Sequence, residues 1–353
     1  MSVVNPITLQ VAGVVSFYMC AALVMVFVNK AVLNNSPDLP LLFLLLQLLI
    51  AVTLLHASAV LSKKIEIPKF DVTVAKKLVP VVLVNIIGLV FNTLCLRDVE
   101  ASFFQIARGL VLPLTILVSS VHTRTTPPQK VLLAAVVVTT GFFIGIAPSN
   151  SLPTASKPSL LSLFYGVLSS LFIALHAVLI KSSLPHCNNS TIQLAWWTNF
   201  GSALFLFPAV ILHGEVSLIM NHVQGRNWDG TVFFWGSMVT GLFGFLLCIA
   251  GLLSIKITSP ITHMFSSAAR SVLQTLLGVW IFKDILTVSR GISILVILGG
   301  TMFYTWIKAA HIPPPSTPRA EDVESARAEG VPLTAKDNDS ETQDTPPRYK
   351  EEK

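Results

Sequence analysis

The sequence predicts an all-α polytopic membrane protein of ten transmembrane helices, arranged as two inverted five-helix repeats. Two observations carry this prediction. Hydrophobic residues make up 53% of the chain and charged residues only 12%, about half of the ~25% charged that is usual in soluble domains. Two arginines, Arg108 and Arg270, also sit inside long apolar runs in matching local contexts, Ile106-Ala107-Arg108-Gly109 and Ala268-Ala269-Arg270-Ser271. An arginine at membrane depth costs at least ~2.5–3.5 kcal/mol on insertion scales, so it normally faces a protein-lined or water-filled interior. Two of them in matched settings predict a duplicated fold around a cationic cavity, whose expected occupant is an anion.

A hydrocarbon core is ~30 Å thick and takes ~20 apolar residues per helix. Such runs fall at 8–28, 39–61, 78–97, 101–121, 131–147, 160–180, 191–213, 232–253, 261–282 and 286–308. The first begins near Ile7, has no basic segment before it and is too long for the core of a cleavable signal, so it reads as a membrane helix. The third and fourth runs, and the eighth and ninth, are so closely spaced that hydropathy alone would merge them. The chain therefore divides into a ten-helix membrane domain over 1–308 (repeat one about 8–147, repeat two about 160–308) and a tail over 309–353. The tail carries Pro313-Pro314-Pro315, many Ser and Thr, and 10 acidic against 6 basic residues. It has too little apolar area to offset its ordering entropy and is expected to be disordered. Removing it leaves 18 Lys+Arg and 8 Asp+Glu in 1–308, so the net +6 is a core of about +10 and a tail of −4.

Loop charge sets the expected orientation. The loop 62–77 holds Lys63, Lys64, Lys69, Lys76 and Lys77, and 122–130 adds Arg124 and Lys130. The loops of opposite sense hold none in 34–38, then Arg97, Lys157, Arg226, and Lys283 with Arg290. The positive-inside rule places the first set, and with it both termini and the tail, in the cytosol.

The repeat extends beyond the arginines. Each is preceded by an apolar helix and a short polar link, Cys95-Leu96-Arg97-Asp98-Val99 or Ile255-Lys256-Ile257-Thr258-Ser259-Pro260. Each is followed by an apolar run, a turn and a glycine-bearing helix, Thr139-Thr140-Gly141-Phe142-Phe143 or Leu298-Gly299-Gly300-Thr301-Met302. Five helices per half is odd, so the halves enter the membrane in opposite senses. Inverted repeats around a midplane site are a transporter architecture.

The acidic residues narrow the chemistry. Asp38, Glu66, Asp71, Asp98, Glu100, Glu215, Asp229 and Asp284 all fall in loops or at span ends. Proton-driven carriers usually use intramembrane Asp, Glu or His, and only His56, His176 and His263 lie in or near spans. A lone helical histidine is more often a hydrogen-bonded packing residue than a relay. No carboxylate pair, metal-ligand cluster or nucleophile constellation suggests an enzyme, a metal or another cofactor. An exchanger needs none of these.

Other polar groups have two readings each. Lys30 ends the first span and either snorkels to the interface or gates the cavity. Asn85, Asn92 and Asn199 lie within spans, where asparagine often bonds a neighbouring helix. Ser266 and Ser267 either permit close helix packing or let a substrate approach the backbone. Trp196, Trp197 and Trp235 fit an interfacial belt, though a cavity-facing Trp could stack on a base. Cys20, Cys95, Cys187 and Cys248 show no metal spacing and no expected disulfide.

Several stretches carry a resemblance. Val26-Phe27-Val28-Asn29-Lys30 resembles the first-helix V-F-x-N-K of the nucleotide-sugar and triose-phosphate translocator families, in the drug/metabolite transporter superfamily. Gly241-Leu242-Phe243-Gly244-Phe245 followed by Ile255-Lys256-Ile257-Thr258-Ser259-Pro260-Ile261-Thr262-His263 resembles the G-L-F-G-F…I-K-F-T-S-P-L-T-H of GDP-fucose transporters. Phe91-Asn92-Thr93-Leu94-Cys95-Leu96 is similar to their F-N-N-L-C-L, and Gly299-Gly300 through Tyr304-Thr305-Trp306 to their G-G…Y-T-W. The similarity runs from about Val24 to Lys308.

This resemblance implies a ten-helix carrier of Golgi or endoplasmic reticulum membranes, exchanging a cytosolic nucleotide sugar for a lumenal nucleoside monophosphate. Guanine-nucleotide members carry F-Y-N-N in helix seven and G-A-L-N-K in helix nine. Here the first reads Trp196-Trp197-Thr198-Asn199 and keeps only Asn199; the second reads Ser267-Ala268-Ala269-Arg270, with arginine for lysine. The expected site follows. Arg270 binds the diphosphate and Arg108 is its pseudo-symmetric partner or a gate. Asn199 bonds the base with Trp197 nearby, and Ser266 and Ser267 shape the floor. Asn92 is a further contact, and Lys30 attracts the anion at the cytosolic mouth. Expected partners are the nucleotide sugar, the nucleoside monophosphate and the lipid bilayer, with no nucleic acid; a homodimer is an open option. Two further readings stand beside this one: a carrier of another nucleotide sugar or phosphorylated metabolite on the same fold, and a non-transporting membrane scaffold.

Overall fold

A computed structural model describes residues 6–62, 65–147, 159–225, 228, 230–257 and 260–310; for 6–12 and 248–268 it describes the backbone course only. Among the described residues the secondary structure is helical throughout. The helices are α1 (Pro6–Asn35), α2 (Pro40–Leu61), α3 (Val72–Asp98), α4 (Ala101–Gly109), α5 (Val111–Thr123), α6 (Gln129–Ile146), α7 (Leu160–Ser183), α8 (Thr191–Leu212), α9 (Glu215–Gln224), α10 (Gly230–Ile257), α11 (Pro260–Phe282) and α12 (Val288–Ala310). Nine stretches among the described residues are long and apolar enough to cross a bilayer, and Ala269–Phe282 is a shorter apolar one. The chain is a polytopic helical membrane protein. Of the expected disordered tail, Ala309 and Ala310 belong to α12 and the rest lies outside the described residues.

Local chemistry explains where these helices start and break. Side chains of Asp71, Ser159 and Ser190 accept from the amides of Thr73, Ser162 and Gln193 and so cap α3, α7 and α8. The Asp71 cap starts α3 ahead of its apolar run, taking Lys76 and Lys77 out of the loop and onto the helix. The fourth span, a single helix by hydropathy, is instead α4 plus α5, broken at Leu110. Pro113 accounts for the break, since it has no amide to donate to Gly109 and its ring crowds that carbonyl. The break comes two residues after Arg108. The amphipathic α9 occupies the loop after the seventh span, too short and too polar for hydropathy to mark it.

The bundle packs α1 on α10, α3 on α7 and α8, α2 on α8 and α10, and α4 on α7 and α11. Glycines allow several of these approaches. A Cβ on Gly236 of α10 would collide with Val32 of α1, and one on Gly300 of α12 would lie 2.6 Å from Val138 of α6. Ser293 of α12 also donates to the Gly141 carbonyl of α6 at 2.6 Å.

One rim of the bundle is tied by three capping contacts between distant segments. Glu215, fully buried, accepts from Leu41 N at 3.2 Å and Leu42 N at 2.6 Å, serving the first turn of α2. Burial pushes this carboxyl above the usual carboxylate range, against the pull of those amides and of His213. Asp284 accepts from Ser102 N at 3.0 Å at the start of α4. Lys30 donates to the carbonyls of Leu96 at 2.9 Å and Arg97 at 3.0 Å at the end of α3. At the same rim Arg290 pairs with Glu100, donates to the Ile285 carbonyl at 2.9 Å and stacks over Phe103. The apolar side chains beneath, Phe43, Phe103, Phe104 and Phe233, are 0–2% exposed.

Candidate functional site

Above that floor α1, α3, α4, α7, α10 and α11 enclose a cavity of about 510 Å³. Both arginines line it, Arg108 from the end of α4 and Arg270 from α11. The Arg108 guanidinium lies 5.6 Å from the centroid of the Phe104 ring, a geometry that suits a partly desolvated cation. The Nε of Arg270 is buried with no hydrogen-bond partner among the described residues. Among the described residues no carboxylate lines the cavity, and none lies within salt-bridge distance of either arginine. The remaining polar wall is neutral: Tyr18, Asn29, Asn85, Asn92 and His176. Two like charges sharing one low-dielectric space repel each other. An anion carrying two or more negative charges would relieve that repulsion and satisfy the open guanidinium donors.

A side lobe of about 170 Å³ adjoins this space and shares Met25, Leu89 and Gly244 with it. Its polar side chains are Gln47, Asn199 and Thr240, set among leucines and Phe245. Gly241 and Gly244 lie on its α10 wall; at Gly241 the missing Cβ lets Ile50 of α2 pack close, and a Cβ there would lie 2.7 Å from it. Asn199 is anchored by its Nδ2, which donates to the Ala195 carbonyl at 2.8 Å.

The remaining expected site residues fall differently. Asn92 lines the main cavity and accepts from Ser169 at 3.4 Å. Trp197 lines neither space; it is 4% exposed and packs against Phe70 and Trp196. Two positions on a helix are separated by about 200°, so Trp197 and Asn199 face nearly opposite ways. Lys30 is not at the expected mouth. It is 7% exposed, committed to the α3 carbonyls, and sits at the rim opposite the lysine-bearing loop that precedes α3. With cytosolic termini it would lie at the lumenal end of α1, so a cytosolic N-terminus and a cytosolic Lys30 exclude each other. The side chains of Ser266 and Ser267 lie outside the described residues.

The structure adds wall residues that the expected site leaves out: Tyr18, Asn29, Asn85, His176 and, in the side lobe, Gln47 and Thr240. Gln47 has the clearest signal, a lone amide in the apolar run Leu41–Ile50.

Comparison with known proteins places this geometry. The description "Triose-phosphate Transporter family" matches residues 9–305. The chain belongs to that family. Among its relatives, a protein named GDP-fucose transporter 1 from Mus musculus is 31% identical over 312 residues, covering 85% of this chain and 84% of the relative. GDP-fucose transporter 1 from Dictyostelium discoideum is 28% identical, covering 84% and 80%. A protein named "GDP-fucose transporter, Golgi" from Drosophila melanogaster is 27% identical, covering 85% and 90%. A solved crystal structure at 16% identity covers 84% of this chain and 98% of its own, with a TM-score of 0.50, a likeness of fold alone. The family match spans every helix that borders the cavity and both arginines.

Proposed function

We propose that this chain is a nucleotide-sugar antiporter of Golgi or endoplasmic reticulum membranes that carries GDP-fucose, or another GDP-sugar, into the lumen in exchange for GMP. The observation that carries this reading is the pair Arg108 and Arg270 in one cavity with no carboxylate on its wall among the described residues. A nucleoside diphosphate bridges two fixed cations with its phosphates and leaves a flat base and a sugar to be housed beside them. The side lobe, with its apolar walls and the Asn199 amide, suits the base. The names of the relatives favour GDP-fucose within this class.

The packing supports two inverted repeats. Take α4 with α5 as one span, set α9 aside, and count α11, Pro260–Phe282, as the tenth crossing. Exchanging each span with its counterpart in the other half turns the α1–α10 contact into α7–α3 and the α2–α10 contact into α8–α3, both of which occur. The α2–α8 and α4–α11 contacts map onto themselves. A lumenal rim held by Glu100–Arg290 would then be the closed side of the carrier, with the cavity served from the cytosolic side; both termini are assigned to the cytosol.

Competition for uptake tests this reading. Purified protein in liposomes is given labelled GDP-fucose against a panel of GDP-, UDP- and CMP-sugars. GDP-sugars should compete and the other two classes should not. Preference for a UDP- or CMP-sugar would make the chain a carrier of that nucleotide sugar. Uptake competed only by small phosphorylated metabolites would make it a carrier of those, and no uptake of any of these compounds would point to a membrane scaffold. The tail gives a separate expectation: deleting 312–353 should leave the apparent affinity and rate in liposomes unchanged, since its net negative charge repels the substrate. A several-fold shift would show that it acts on the cavity.

A further inference from the structure

We infer that Gln47 of α2 determines base specificity, and that Asn29 and Thr240 are the positioning residues that aim it. The inference rests on the nucleotide reading above and deepens it. Amide orientation in a side chain must be settled by its hydrogen bonds, and here the network settles it. The Thr240 hydroxyl donates to the Gly236 carbonyl at 2.8 Å. Having one hydrogen, it can only accept from Gln47, whose Nε2 lies 2.9 Å away. The second Nε2 hydrogen goes to Asn29 Oδ1 at 2.8 Å. Both donors of Gln47 are therefore committed, and its Oε1 is left as a pure acceptor on a half-buried residue of the side-lobe wall.

Asn199 is fixed in the same sense. Its Nδ2 donates to the Ala195 carbonyl, so its Oδ1 is the acceptor that the side lobe receives. Neither oxygen is among the buried side-chain atoms without a partner, and both side chains line the side lobe. The side lobe thus offers two carbonyl oxygens from two facing helices, α2 and α8, between apolar walls that include Leu48, Leu89 and Phe245.

Two acceptors select a base edge with two neighbouring N–H donors. Guanine has that edge, with its ring N1–H beside its exocyclic amine. Adenine and cytosine set an acceptor nitrogen beside the amine, and uracil places its single N–H between two carbonyls. A site built to accept from a group rejects the analogue that lacks it, because its own buried polar atom is then left unpaired. Asn29 lines the main cavity and Gln47 the side lobe. The same three side chains therefore connect the phosphate space to the base space.

The test uses full-length protein in GMP-loaded liposomes, with labelled GDP-fucose uptake competed by GMP, IMP and AMP. IMP is GMP without the exocyclic amine. Wild-type protein should favour GMP over IMP by about tenfold, the effect of one unpaired acceptor, and over AMP by more. Gln47→Met, which keeps length and removes the acceptor, should bring the GMP-to-IMP ratio to within about twofold, while Asn199 still accepts from N1–H. Thr240→Val leaves Gln47 in place but frees it to turn, and should narrow the ratio part of the way; it also serves if Gln47→Met fails to fold. An unchanged ratio in either folded variant, or no GMP-to-IMP preference in the wild type, overturns the inference while leaving GDP-sugar transport intact. Failure of every nucleotide to compete would instead overturn the nucleotide reading itself, and this inference with it.

Discussion

Arg270→Ala should abolish uptake while leaving the protein folded and in its membrane. The guanidinium lines the cavity with a buried Nε that has no partner among the described residues. Its removal therefore breaks no hydrogen bond of that Nε and relieves a repulsion with Arg108. The thermal midpoint of the purified protein should be unchanged or higher. Substrate binding should suffer strongly. Hydrogen bonds to charged groups contribute about 1.5–3 kcal/mol each, and losing a fork of two should weaken apparent affinity by ~100-fold or more. Arg270→Lys keeps the charge and loses the fork, so it should retain partial activity. Binding of labelled GDP-fucose, with melting curves on the same samples, checks both halves of the expectation. Near-wild-type uptake by Arg270→Ala would remove Arg270 from the site.

Arg290→Ala should have the opposite signature. Arg290 is 2% exposed and holds Glu100, the Ile285 carbonyl and the face of Phe103. Removing it strands Glu100 at the start of α4. Breaking one partner out of a fully buried pair costs about 3–5 kcal/mol; the Glu100 side chain keeps 20% exposure, so the cost here falls below that range, and the melting point should still drop measurably. Replacing both partners with apolar residues, Arg290→Met with Glu100→Leu, should recover most of the stability, because no charge is then left alone. Activity need not return with it: the pair joins the first half of the chain to the last helix. If Arg290→Ala melted like the wild type, the rim would not be the structural tie that its contacts describe.

The helices are legible in the sequence because hydrocarbon thickness imposes one length and one composition on every crossing. The two arginines are legible because intramembrane charge is rare. What stays hidden depends on distance along the chain. The Glu100–Arg290 pair and the Asp284 cap on α4 join residues 190 and 182 positions apart, and no local pattern announces them. Lys30 reads as a gate or a snorkelling side chain; its role as the cap of α3 follows only from where α3 ends. Trp197 and Asn199 stand together in one motif, but helical geometry separates their faces, so Asn199 meets the side lobe and Trp197 the core. Gln47 is visible as a lone amide in a leucine run, and its use becomes clear only beside Asn29 and Thr240.

Counterflow with purified full-length protein in sealed liposomes tests exchange on fixed cations most directly. Labelled GDP-fucose is supplied outside, and the interior holds GMP, buffer alone, or buffer with an imposed pH gradient. With no carboxylate on the cavity wall among the described residues, internal GMP should accelerate uptake several-fold over empty vesicles. The pH gradient alone should do little. Strong uptake into GMP-free vesicles driven by the pH gradient, or uptake indifferent to internal GMP, would contradict it.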